Sequence, residues 1–263
     1  MSPKVRRPPR SSFVPMGRVA LSAALCASAM VVPLSGGAQS GGSSGFMFGA
    51  PKASVTVRGG FARPSESSDL YTFVRDELTI ARGDFASSSW SLDAAFFVQP
   101  QLAVQFGIGV ASRATPSVYR DWVDTNDREI AQTSSLRRMP LSAGLRYYLV
   151  PPGRSISRLA WVPARVAPYV AAGGGLTYYH FKQTGDFVDY QTLDVFGTEL
   201  HSEAWSPSAF TAVGADYALG ARVGLVGEAR YDWASARLSS DFSGFNRIDL
   251  SGLALTVGLA YRF

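Results

Sequence analysis

The sequence predicts an all-β fold: an eight-stranded antiparallel transmembrane β-barrel with four long extracellular loops and short periplasmic turns. Three observations predict it. The chain opens on an export segment, and after it eight stretches alternate apolar residues with small or polar ones. Beyond the export segment no stretch approaches the roughly 20 apolar residues of a membrane helix. In hydrocarbon an unpaired peptide group costs several kcal/mol, so a chain without such helices spans only as a closed sheet. Closure also removes the sheet edges that template aggregation.

The export segment covers residues 1–38. Lys4, Arg6, Arg7, Arg10 and Arg18 form a basic start, Val19 to Leu34 an apolar run, and Ser35 to Ala38 a small-residue site for cleavage after Ala38. Sixteen residues with Pro33 near the end are short for a span, which favours a signal peptide. Met16 begins a tidier signal, so the start is either Met1 or Met16. Cys26, the one cysteine, lies in this segment behind Leu25, which does not suit a lipidation site. The segment also explains the basic balance. The remainder carries 20 basic against 20 acidic groups, which removes the case for a nucleic-acid partner. Residues 39–52 are Gly/Ser-rich and read as a flexible leader, and 53–263 as the barrel.

The strands follow in order. In 54–61, Val55, Val57 and Phe61 oppose Thr56 and Arg58; in 89–98, Trp90, Leu92, Phe96 and Val98 oppose Asp93. After a tight turn at 99–101, Val104, Phe106, Ile108 and Val110 alternate with Gln105, Gly107 and Gly109. The fourth runs near 136–149, with Leu141, Leu145 and Tyr147 against Arg138, Ser142, Arg146 and Tyr148. The fifth, 168–181, has ambiguous facing because Gly173, Gly174 and Gly175 erase the contrast. The sixth is 208–218; the seventh, 222–234, sets Leu225, Tyr231 and Trp233 against Glu228, Arg230 and Asp232; the eighth is 253–263. The connections 62–88, 112–135, 182–207 and 235–249 read as long polar loops, and 150–165 as a proline-rich turn of medium length.

The apolar faces are expected to meet lipid and the others to fill the lumen. That directs Arg58, Arg146, Arg230 and Arg262 inward against Asp93, Asp216, Glu228 and Asp232, as an internal ion-pair network. A soluble barrel of lipocalin type would invert the faces. Against it stand the Gly/Ala/Ser-rich second face, the scarcity of lysine after residue 38 (Lys52 and Lys182), and aromatics near strand ends: Trp90, Tyr147, Tyr169, Tyr178, Tyr217, Tyr231, Trp233 and Tyr261.

The segment Leu255 to Phe263, with Leu259, Tyr261 and Phe263 at alternate positions, resembles the C-terminal assembly signal of bacterial outer-membrane barrels. Pro168 to Gly173 and Gly227 to Asp232 resemble strands of small OmpA-like, OmpW-like and opacity-type barrel domains. The resemblance covers about 53–263. It implies insertion by the barrel-assembly machinery and a place in the outer membrane of a Gram-negative-type bacterium, among its lipids and lipopolysaccharide, as a monomer.

Catalysis on lipid would need a base or nucleophile at the rim. The histidines, His180 and His201, fall near the third long loop, and Ser202 and Glu203 adjoin His201, but adjacent residues on an extended chain point apart. Asp121, Asp124, Asp127 and Glu129, and Asp186, Asp189, Asp194 and Glu199, lack the spacing of an EF-hand and read as solvated loop residues. Gly173 to Gly175 reads as close packing in a narrow barrel. No cofactor, metal or catalytic residue is expected. The expected role is a non-enzymatic structural or surface one, in adhesion or lipopolysaccharide contact; the alternatives are a narrow OmpW-like channel for small solutes and, last, a lipid-modifying enzyme.

Overall fold

The computed structural model describes residues 45–157, 160–190, 192 and 194–263. The export segment, its cleavage point, Cys26 and the two candidate start residues lie outside them. The described chain contains β1 (Ala53–Pro64), α1 (Asp69–Glu77), β2 (Ser87–Gln99), β3 (Leu102–Val123), β4 (Glu129–Tyr148), β5 (Gly153–Ser157), β6 (Ala160–Pro163), β7 (Val166–Val188), β8 (Val195–Ala218), β9 (Val223–Ala236), β10 (Ile248–Asp249) and β11 (Gly252–Arg262). Eight of these close an antiparallel ring, β1-β2-β3-β4-β7-β8-β9-β11, with β11 returning to β1. The closing register pairs Val55 with Tyr261 and Phe61 with Leu255.

Side-chain alternation decides what each face meets. On β11, Leu253, Leu255, Val257 and Leu259 are 45–58% exposed, whereas Thr256, Ala260 and Arg262 are buried. The same inversion of the water-soluble pattern recurs on β1 (Val57 out, Arg58 in), β2 (Leu92 out, Asp93 in) and β9 (Leu225 out, Glu228 in). Trp90, Trp205 and Trp233 stand outward where the strands run towards the long loops; Tyr147, Tyr217, Tyr261 and Phe263 stand outward at the short-turn end. A strand of about 11 residues tilted by about 45° covers roughly 25 Å, the height of a membrane barrel's apolar band. This surface suits hydrocarbon and not water, which answers the lipocalin alternative.

Two connections read as loops are strand. The 112–135 and 182–207 stretches continue the ladder as the β3–β4 and β7–β8 hairpins, so that β8 runs for 24 residues against 11 in β11. Above the apolar band the outer face meets water, so polar residues such as Thr133 and Thr184 occupy it and the apolar alternation disappears while the backbone bonds persist.

The other long connections fold over the mouth of the ring as a cap. In 65–86, α1 turns Leu70, Tyr71 and Val74 inward, spaced to share one helical face. Its Leu78 N–H closes on the Val74 carbonyl at 3.1 Å. These side chains join Phe85, Leu136, Tyr179, Phe181, Phe242 and Ile248 in an apolar core. The cap therefore has its own hydrophobic stabilisation, separate from the belt.

At the opposite end the 150–165 connection carries the β5–β6 hairpin. The leader docks there from its first described residues. Met47 and Trp161 exchange backbone hydrogen bonds of 2.8 and 2.9 Å, and Met47, Trp161 and Ala221 pack together. The Lys52 N–H then reaches the Phe263 carbonyl at 2.8 Å.

Candidate functional site

The candidate site is the lumen with the cap that covers it. Arg58 on β1 donates Nη2 to Asp93 Oδ2 at 2.7 Å and Nη1 to Glu228 Oε2 at 2.6 Å, joining β1 to neighbouring β2 and to β9. Ser91 Oγ supports Asp93 at 3.1 Å. Arg146 on β4 lies 3.8 Å from Glu228, donates Nε to Gln105 at 3.0 Å, and stacks over the Tyr169 ring at 4.3 Å. The Tyr169 hydroxyl donates to Glu228 at 2.7 Å. Towards the short turns, Arg262 lies 3.5 Å from Asp216, which also accepts the Tyr148 hydroxyl at 3.1 Å. Towards the cap, Arg230 pairs with Asp232 at 2.8 Å and covers the Phe210 ring at 3.9 Å.

The eight charged residues expected inside thus fall into three tiers: Arg262 with Asp216, then Arg58, Asp93, Glu228 and Arg146, then Arg230 with Asp232. Each charge has a partner of opposite sign, as burial demands. Leu259, Tyr261 and Phe263 face outward at the short-turn end, the last two rings 5.0 Å apart.

Several lumen residues were not among the expected set. Tyr169, grouped by sequence with the interfacial aromatics, is 1% exposed and points inward. The triple glycine concealed which face of β7 is inner; the Tyr148–Tyr169 register settles it. Phe210 fills the lumen because glycine faces it. A Cβ at Gly173 would sit 2.7 Å from its ring and one at Gly144 2.8 Å. Gly214 makes the same room for Tyr169, at 2.5 Å. Arg138, on the inner face of β4, donates to the Leu250 carbonyl at 2.9 Å and ties barrel to cap. A cavity of about 70 Å³ remains between the middle tier and the cap, bordered by Arg58, Asp93, Arg138, Thr177, Glu228 and Asp232. It has room for a few waters.

Carboxylates latch the two cap segments together. Asp69 accepts the Asn246 backbone N–H and side-chain amide, each at 2.9 Å. The Asn246 N–H foremost holds its carboxyl below the ordinary range. Asp249 accepts the Ser65 and Ser67 hydroxyls and the Ser251 N–H. Burial pushes that carboxyl up, but the hydroxyls outweigh it and the net shift is down. Glu66 accepts the Gly83 N–H and anchors the turn beneath α1.

The remaining sequence candidates do not assemble into a reactive centre. His201 points outward beside Asp241 at 3.5 Å, whereas Ser202 points inward and bonds Tyr179 at 2.8 Å. His180 pairs across the ladder with Glu203. Asp124 closes its own turn on the Asn126 and Arg128 N–H groups, and Glu199 pairs with Lys182 at 2.7 Å. Among the described residues no group of three His, Cys, Asp or Glu side chains is placed to hold a metal ion.

No family model and no curated protein matches the chain. Among solved structures it is similar to Neisserial surface protein A, at 15% identity and a TM-score of 0.43 over 85% of this chain and 100% of that one. A major outer membrane protein from Thermus thermophilus gives 18% identity and 0.45, over 81% and 100%. The outer membrane protein OprG from Pseudomonas aeruginosa gives 15% and 0.42, over 82% and 99%. At such values the likeness decides nothing alone; the membrane reading stands on this chain's own apolar belt.

Proposed function

We propose that the chain is an outer-membrane β-barrel of a Gram-negative-type bacterium, non-enzymatic and monomeric, that acts at the cell surface through its capped, long-loop end. One observation carries the reading: the same end that projects beyond the apolar belt is a folded cap with its own core, latched by Asp69 and Asp249 over a lumen filled by ion pairs and Phe210. A rigid projecting surface fits contact with lipopolysaccharide or a host molecule, whereas a filled lumen does not fit free passage. Leu259, Tyr261 and Phe263 serve as the signal to the barrel-assembly machinery.

Planar-bilayer recording tests the reading. Purified, refolded protein is expected to insert and stay electrically silent; discrete openings would overturn it in favour of a narrow channel. That second reading has its own support. The 70 Å³ cavity abuts a lapse in the β3–β4 ladder, between the Ile108–Leu141 and Ala111–Arg138 pairs, where Pro140 has no N–H to give.

A further inference from the structure

The outer wall carries a cleft of about 350 Å³ at the upper border of the apolar belt. The antiparallel registers place Arg63 of β1 beside Leu253 of β11, and Leu253 beside Tyr231 of β9. One outward row therefore holds a guanidinium, an aliphatic side chain and a phenol. The 81–84 turn brings a second guanidinium, Arg82, to the same cleft. The turn rests on Arg63: a Cβ at Gly83 would lie 3.5 Å from Arg63 Nη2. Both arginines are exposed, and neither has an ion-pair or hydrogen-bond partner among the described residues.

No carboxylate lines the cleft. The nearby acids are engaged elsewhere: Glu66 on the Gly83 N–H, Asp249 on the Ser65 and Ser67 hydroxyls, and Asp84 on the Ala81 N–H. Here two fork-shaped donors line one cleft above an apolar floor. That pairing suits a ligand with an anionic, multi-oxygen head and an acyl tail.

We propose that this cleft binds the phosphate headgroup of an anionic lipid in the surrounding leaflet, with Arg63 and Arg82 on the phosphate and Leu253 and Tyr231 against the first carbons of its acyl chains. The inference rests on the membrane reading and names a ligand for its outer surface. It gives the protein a fixed lipid partner just below the cap, on the strand that bears the 65–86 segment.

The test uses the full mature chain in phosphatidylcholine bilayers doped with phosphatidic acid, followed by native mass spectrometry of the lipid retained. The wild type is expected to retain phosphatidic acid in preference to phosphatidylcholine, and the Arg63→Gln/Arg82→Gln variant to lose that preference by about 30-fold. The control Arg113→Gln/Arg137→Gln, at exposed arginines elsewhere above the belt, is expected to keep it. Equal retention by wild type and the Arg63/Arg82 variant would overturn the site, as would an equal loss in the control, which would mean diffuse attraction. Displacement of the lipid by inorganic phosphate at millimolar concentration would assign the cleft to a free anion instead. A protein that fails to insert overturns the membrane reading itself, and is told apart by the loss of heat-modifiable gel migration.

Discussion

Arg58→Met tests the lumen network at its most connected point. Arg58 neutralises two carboxylates at once, Asp93 at 2.7 Å and Glu228 at 2.6 Å, and all three side chains are 2–3% exposed. Removing one partner of a buried pair leaves an uncompensated charge and costs about 3–5 kcal/mol. Glu228 keeps Arg146 at 3.8 Å and the Tyr169 hydroxyl at 2.7 Å. Of its hydrogen-bond partners Asp93 keeps only Ser91 at 3.1 Å, so most of the penalty falls on Asp93. The Arg58→Met/Asp93→Asn variant should therefore recover at least half of the loss, because Glu228 and Arg146 still balance. The assay is urea unfolding of protein refolded into vesicles, read by the fluorescence of the outward Trp90, Trp205 and Trp233. The reasoning is refuted if the single variant loses less than about 1 kcal/mol, or if the double variant is no more stable than the single.

Other perturbations probe the belt, the packing and the cap. Val257→Arg places a charge on the outward face near the middle of β11 and should cost about 2–4 kcal/mol in vesicle unfolding, whereas Thr256→Ser, one residue away on the inner face, should cost under about 1 kcal/mol; equal effects would mean that the faces are misassigned. Gly173→Val drives a side chain into the Ala143 carbonyl, which even a Cβ would approach to 2.2 Å, and into the Phe210 ring; no heat-modifiable folded band should form, and normal folding would contradict the packing. The cap should loosen in acid. The Asp69 and Asp249 carboxyls are held below their unfolded values, so the stability they lend is present above an unfolded pKa of about 3.9 and is lost as pH falls through the lower folded values. Pepsin cleavage within 65–86 and 237–251 should rise as pH drops below about 4 while the barrel strands stay protected, and Asp69→Asn should show raised cleavage already at higher pH; a cap equally resistant throughout would rule out the carboxylate latch.

What the sequence makes legible follows from which solvents the two faces of a strand meet. Where one face meets lipid and the other a packed lumen, alternation is enforced residue by residue, and Leu253 to Phe263 and Val104 to Val110 show it plainly. The same enforcement makes the eight lumen charges readable, since a charge on an otherwise apolar strand must turn inward. Above the belt the outer face meets water and the inner face meets the cap, so apolar and polar residues no longer alternate and the long hairpins β3–β4 and β7–β8 resemble loops. In α1 nine residues hold only three inward side chains, too few to show a helical period, and their partners Phe181 and Ile248 lie far away in sequence. Tyr169 was misplaced for a local reason: three glycines carry no polarity with which to tell inside from outside. Arg138 reads as inward from the alternation of its strand, but its partner is the Leu250 carbonyl, and a backbone acceptor leaves no mark in the sequence. The hidden features are therefore those of the cap and its connection to the lumen, and these are the features that turn a generic barrel into a closed one. Their test lies in the Arg138 bond: if Arg138→Gln leaves pepsin cleavage of 237–251 unchanged, the cap is held by its own core and carboxylates alone, and lumen and cap are independent units.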